Sequence, residues 1–289
     1  VSRTVTLTVD GHEVAVPEGS TLLEAARAVD VEVPTLCYLE TLTPVNVCRI
    51  CVVEVEGSRT LVPACSRVAE PGMVVHTGSA RVRRARRMVL ELLGSATRLD
   101  LAPEVASWME EYGAEPGRWG TPPAPEPRVD NDLYVRDYGR CILCYKCVEA
   151  CGVDAQWTFA IAVAGRGDEA HISTEYDVDL PESACVFCGN CIAVCPTGAL
   201  MAKSEWDLRE AGRWTPETQH VTTTVCSYCG VGCNLELWVQ DGRVVKVTSP
   251  LDHDVTRGNL CIKGRFGYTY LHDLPDEYLT PIDHLLSRF

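Results

Sequence analysis

The chain lacks any long hydrophobic run: none of its 289 residues belongs to a stretch near the ~18 consecutive apolar positions that a membrane span needs. No apolar segment follows a basic start and no twin arginine opens the sequence. It begins at once with the alternating Val5-Thr6-Leu7-Thr8-Val9. Export to an oxidising compartment is therefore not expected, and the expected location is the cytoplasm. Positive charge is also scarce. Lys and Arg number 26 against 40 Asp and Glu, a net charge of −14, which argues against nucleic acid as a partner, since a phosphate-binding surface needs a basic excess. Finally, no cysteine is left over, and residues 77–140 hold neither Cys nor His.

What is abundant is cysteine, and its 16 residues fall into four quartets. The first is Cys37, Cys48, Cys51 and Cys65; the second is Cys141, Cys144, Cys147 and Cys151. The third is Cys185, Cys188, Cys191 and Cys195, and the fourth is Cys226, Cys229, Cys233 and the distant Cys261. Disulfide frameworks belong to small secreted domains, so a reducing location points to metal. Zinc is the serious competitor, since four cysteines also hold that ion. Zinc ribbons, however, pair two separated C-x2-C units. The second and third quartets are compact C-x2-C-x2-C-x3-C runs, and the third closes with Cys195-Pro196, the bacterial two-cluster ferredoxin signature. Such runs ligate crosswise. Cys141, Cys144 and Cys147 are expected to share a 4Fe–4S centre with Cys195, and Cys185, Cys188 and Cys191 one with Cys151.

Residues 1–78 read as a β-grasp ferredoxin module within a multi-domain α+β chain. An Asp10-Gly11 turn joins two alternating strands, and Ser20 or Thr21 can cap a helix over Leu22–Val29. Strands are expected at 51–56, 59–63 and 73–76. The cysteine spacing C-x10-C-x2-C-x13-C departs from the plant type, yet a short C-x2-C in a long loop suits a 2Fe–2S centre. Residues 79–130 form a helical connector and linker. Ser79 caps a helix that Gly94 is expected to stop, a second helix spans 104–112, and the proline-dense 116–127 is a stiff boundary. The basic run Arg81, Arg83, Arg84, Arg86 and Arg87 reads as a solvated helix face, or else a dock for an acidic partner. Residues 131–213 are the two-4Fe–4S ferredoxin domain. Residues 214–289 are a small β-rich 4Fe–4S domain, with a hairpin at Asp241-Gly242 and Lys263 just past Cys261. From spacing alone, Lys263 is either a surface lysine or a charge set between the cluster and a cofactor.

The stretch Cys185–Leu200 resembles the ferredoxin segment of formate dehydrogenase alpha subunits, as does Lys203–Gly212. Cys226–Cys233 and Thr248–Gly267 are similar to the iron–sulfur domain that opens the molybdenum or tungsten bis-pterin part of those enzymes. The resemblance implies one 2Fe–2S and three 4Fe–4S clusters, about 14 iron atoms in all. It places Lys263 as the bridge to a bis-pterin guanine dinucleotide bearing Mo or W. A further cluster with one histidine ligand, frequent in cytoplasmic NAD-linked relatives, should be absent. Family members continue far past the position of Cys261, into the domains that hold the metal. The expectation is thus a split alpha subunit: no substrate site here, and a catalytic Mo/W-bis-pterin subunit docked on residues 219–289. A flavin/NAD-binding subunit would stand at the opposite end of the electron path. The rivals are an electron-transfer subunit of an NAD-linked hydrogenase, another bis-pterin oxidoreductase, a relative of respiratory complex I, and a zinc-bound scaffold.

Overall fold

A computed structural model describes residues 3–272; the end of the last expected domain, residues 273–289, lies outside the described residues, as does the corresponding part of its docking face. Strands β1 (Thr4–Val9) and β2 (His12–Pro17) form the expected hairpin, with Asp10 and Gly11 at φ 47° and 85°. Thr21, rather than Ser20, caps α1 (Leu22–Arg27). Its hydroxyl accepts from the Glu24 N–H while the Glu24 carboxylate accepts from the Thr21 N–H. β3 (Val52–Val55), β4 (Val62–Pro63) and β5 (Val74–His76) complete a five-stranded sheet of order β2-β1-β5-β3-β4. Only β1 and β5 run parallel within it. Leu22, Leu23, Ala25 and Ala26 of α1 pack on Leu7, Val9, Val53 and Val75. The long irregular segment between α1 and β3 carries Cys37 and Cys48.

Ser79 caps α2 (Ala80–Ala96) through the Val82 N–H. The helix runs through Gly94 instead of stopping there. Gly94 is needed for closeness, because a Cβ would lie 2.7 Å from Met109 Cε and 3.1 Å from Pro116 Cβ. The basic run does not form one solvated face either. Arg81, Arg83 and Arg84 are exposed, but Arg86 is 3% exposed and turned inward. A spacing argument misses this because a 17-residue helix between two modules is covered on more than one side. α3 (Pro103–Tyr112) ends at Gly113, φ 63°. Residues 115–126 follow as exposed chain.

In the next module β6 (Tyr134–Arg136) pairs antiparallel with β9 (Leu200–Ala202), closing the two cysteine runs between them. The runs lead into α4 (Lys146–Cys151) and α5 (Asn190–Ala193), which pack together. A small hairpin, β7 (Ala162–Ala164) with β8 (His171–Ser173), is inserted between the runs; its three-residue strands are too short to show a period. α6 (Lys203–Glu210) then leads to the sheet β10 (His220–Val225), β11 (Asn234–Gln240) and β12 (Arg243–Thr248), and finally to α7 (Ile262–Phe266). β10 was not expected: all six of its residues are exposed, so no alternation betrays it. No described helix is long and apolar enough to cross a membrane.

Candidate metal centres

Each quartet comes together in space, and the two outer ones are built on loops. Cys51 and Cys65 Sγ lie 3.4 Å apart, and Asn46 Oδ1 sits 3.3 Å from Cys65 Sγ. Asn46 and Arg49 hold positive φ of 62° and 57°, turning the loop so that Cys48 and Cys51 face the same space. Arg86 ties this loop down from below: its guanidinium donates to the Ile50 and Val52 carbonyls at 3.1 Å each and to Tyr112 Oη at 2.9 Å. The thiols act on one another in pairs. Sharing a proton with Cys37 draws Cys48 down while Cys37 rises; in the same way Cys51 falls and Cys65 rises.

The second and third quartets exchange their last members. One cavity is lined by Cys141, Cys144, Cys147 and Cys195, the other by Cys185, Cys188, Cys191 and Cys151. The local reason is a repeated backbone pattern. Leu143 and Tyr145 in one run, and Phe187 and Gly189 in the other, take the left-handed conformation. That winding aims N–H groups inward: the Leu143 N–H at Cys141 Sγ and the Phe187 N–H at Cys185 Sγ, both 3.4 Å, with the Ala160 N–H 3.2 Å from Cys151 Sγ. Burial pushes the thiols up, Cys141 to about 11 and Cys144 to about 12, with Cys147 and Cys191 well above the usual range.

Two further groups bear on what the cavities can hold. Arg136 lines the Cys151 cavity and Tyr138 the Cys195 cavity. Arg136 Nε and Nη1 and Tyr138 Oη are buried with no hydrogen-bond partner among the described residues. Orphaned donors at the rim of a thiol-lined cavity fit a ligand rich in acceptors, such as the sulfides of an iron–sulfur cluster. Four thiols lining one cavity match the donor set of a 4Fe–4S cluster. Neither Arg136 nor Tyr138 stands in a motif, and no spacing signal could have found them.

In the fourth quartet the Cys226 N–H donates to the Cys233 carbonyl at 2.7 Å. Burial raises the Cys233 thiol, and the nearby Cys226, Cys261 and Cys229 add to the effect. Cys229 and Cys261 are exposed, as are Lys263 and the apolar Val225, Val231 and Ile262. This centre opens at the surface, whereas the middle two are enclosed.

Neighbouring quartets are linked through shared packing and hydrogen bonds. Cys48 shares an apolar cluster with Leu36, Ile50 and Ile142, the last lying inside the second cysteine run. Leu39 and Leu42 rest on Ala150 and Val194. Leu200 lines both middle cavities. Towards the fourth quartet, the Leu260 N–H donates to Asn190 Oδ1 at 2.9 Å, and Arg265 Nε donates to the Cys188 carbonyl at 2.9 Å. Burial lowers Arg265 to about 10, so its charge persists at neutral pH.

Three stretches match known domain families. They are the 2Fe–2S iron–sulfur cluster binding domain over residues 2–80, the 4Fe–4S dicluster domain over 140–199, and the molybdopterin oxidoreductase Fe4S4 domain over 219–273. The chain is 36% identical, over 96% of its length, to the NADPH-Fe(3+) oxidoreductase subunit alpha of Geobacter sulfurreducens, of which it covers 33%. It is 39% identical, over 72% of its length, to the NADP-reducing hydrogenase subunit HndD of Solidesulfovibrio fructosivorans, covering 38% of that protein. The chain thus spans about a third of the length of the curated relatives it matches. Among solved structures, a chain of an NAD+-reducing NiFe-hydrogenase in its H2-reduced state is similar with a TM-score of 0.59 at 26% identity. That match covers 69% of this chain and 87% of the other.

Proposed function

For a chain assembled from a 2Fe–2S domain, a 4Fe–4S dicluster domain and a molybdopterin-oxidoreductase Fe4S4 domain, we propose the role of an electron-transfer component of an NAD(P)-linked oxidoreductase. It connects a Mo/W-bis-pterin site at its fourth quartet with a flavin/NAD(P) site at its first. When bound, one 2Fe–2S and three 4Fe–4S clusters supply one-electron chemistry. The residues do the rest. Cys37, Cys48, Cys51 and Cys65 would hold the 2Fe–2S cluster. The middle cavities would ligate crosswise, with Cys195 joining Cys141, Cys144 and Cys147, and Cys151 joining Cys185, Cys188 and Cys191. Cys226, Cys229, Cys233 and Cys261 would hold the last, with Lys263 extending toward the pterin. Arg136, Tyr138 and the inward N–H groups would donate to sulfur and exclude water.

The observation that carries this reading is that neighbouring quartets share packing: Cys48 and Ile142 belong to one apolar cluster, Leu200 lines both middle cavities, and Arg265 ties Cys188 to the segment bearing Cys261. Formate is the substrate that the resemblance at Cys185–Leu200 and Thr248–Gly267 favours, and its oxidation would occur outside the residues described. The hydrogenase relatives support a second reading, in which the fourth quartet meets a hydrogenase subunit. Anaerobic purification through this chain, with mass spectrometry of whatever co-purifies, separates the two. Bis-pterin and flavin polypeptides with formate-dependent reduction of the clusters support the proposal; hydrogenase subunits with H2-dependent reduction would replace it.

A further inference from the structure

Arg265 is 3% exposed and sits between two different quartets: its side chain reaches Cys188 of one, and its backbone N–H donates to the Cys261 carbonyl of the other at 3.0 Å. Its guanidinium is fixed by neutral acceptors. Nε donates to the Cys188 carbonyl at 2.9 Å, and Nη2 to Asn190 Oδ1 at 3.1 Å and the Gly258 carbonyl at 3.4 Å. No carboxylate pairs with it among the described residues. A buried cation without a counter-ion is costly and is retained where negative charge comes close by other means.

The neighbouring run shows that the position is reserved. Tyr145 and Gly189 are equivalent in the two cysteine runs and share the left-handed conformation, φ 64° and 71°. That conformation alone does not require glycine, since tyrosine adopts it. A Cβ on Gly189, however, would stand 2.3 Å from Arg265 Cδ and 2.9 Å from its Nε. The third run gives up its side chain to admit the guanidinium.

We propose that Arg265 is a positioning residue shared by two redox centres, a fixed positive charge that raises the reduction potential of both the Cys151/Cys185/Cys188/Cys191 centre and the Cys226/Cys229/Cys233/Cys261 centre. This rests on the assignment of clusters to those quartets. Taking up one electron makes each centre more negative by one charge, and a nearby guanidinium stabilises that product over the oxidised form. Because one cation serves both, it eases reduction of the pair together.

The test is an EPR-monitored redox titration of the full chain with its clusters, for wild type, R265Q and R265K. Wild-type protein without 4Fe–4S signals would defeat the cluster assignment itself, a result distinct from any change among the variants. With the clusters present, R265Q should lower the reduction equilibrium constants of two 4Fe–4S centres about tenfold, equivalent to about 59 mV for a one-electron couple. The 2Fe–2S and remaining 4Fe–4S centres should stay in place, and R265K should restore wild-type values to within about threefold. A purely structural peg would lower thermal stability and leave every potential unmoved, which would overturn the proposal; so would R265K behaving as R265Q does. If R265Q does not retain its iron, Gly189→Ala displaces the guanidinium instead. It should lower the same two potentials, and unchanged potentials in it would overturn the proposal.

Discussion

The carboxylate of Asp154 accepts two hydrogen bonds from Thr43, one from the backbone N–H at 2.6 Å and one from Oγ1 at 3.0 Å. Thr43 lies on the loop between Cys37 and Cys48, and Asp154 three residues past Cys151, so this clip seats the first centre's loop on the dicluster module. Both groups are near the surface, which limits its contribution to about 1 kcal/mol. Asp154→Ala should accelerate amide exchange at Thr43 and its neighbours while exchange in β1 and β2 stays unchanged; hydrogen-exchange mass spectrometry measures both.

Crosswise ligation has a signature in iron content. Cys195→Ala and Cys141→Ala should each remove one 4Fe–4S centre, and the double variant should lose no more iron than either alone. Cys195→Ala with Cys185→Ala should lose two centres, because groups of separate sites act additively. Iron analysis with EPR tells this from ligation within each run, which gives the opposite pattern.

Arg86 joins α2 to the loop that bears Cys48 and Cys51. Replacing it with Ala strands the Ile50 and Val52 carbonyls and Tyr112 Oη in a dry interface. The expected cost is about 3 kcal/mol. Urea denaturation followed through the 2Fe–2S absorbance should show the lowered midpoint.

Asp130 and Arg136 form a buried ion pair behind the Cys151 cavity, with side chains 5% and 1% exposed. Burial pushes the Asp130 carboxyl up, but the Leu180 N–H, the Asn131 amide and Arg136 outweigh it, leaving a lowered value. A depressed carboxylate stabilises the fold fully above its unfolded value, about 3.9, and loses that contribution as pH falls through the lower folded value. Asp130→Asn should therefore cost about 3 kcal/mol at pH 7. The gap from wild type should hold down to about pH 4 and close below it, as denaturation at a series of pH values would measure.

The cysteine spacing made the grouping of the thiols legible, because a C-x2-C loop can wrap in few ways and brings its thiols to one side. The hairpins at Asp10-Gly11 and Asp241-Gly242 were legible for the same reason: turn chemistry acts over two residues. What was hidden depends on contacts between distant segments. Gly94 looked like a helix stop, but it marks the place where α2 meets Met109 and Pro116. Arg86 looked solvated, though its guanidinium reaches 36 residues back to Ile50. Arg265 stood inside a recognised motif, yet its partner Cys188 lies 77 residues away, and only the fold brings them together.

Four iron–sulfur centres in series, as proposed, leave a definite iron and sulfide content. Iron and acid-labile sulfide analysis, with Mössbauer and EPR spectroscopy on anaerobically purified protein, should give one 2Fe–2S and three 4Fe–4S centres, all reducible, with about 14 iron atoms per chain. Stoichiometric zinc in a colourless protein, or fewer centres than quartets, would contradict the proposal.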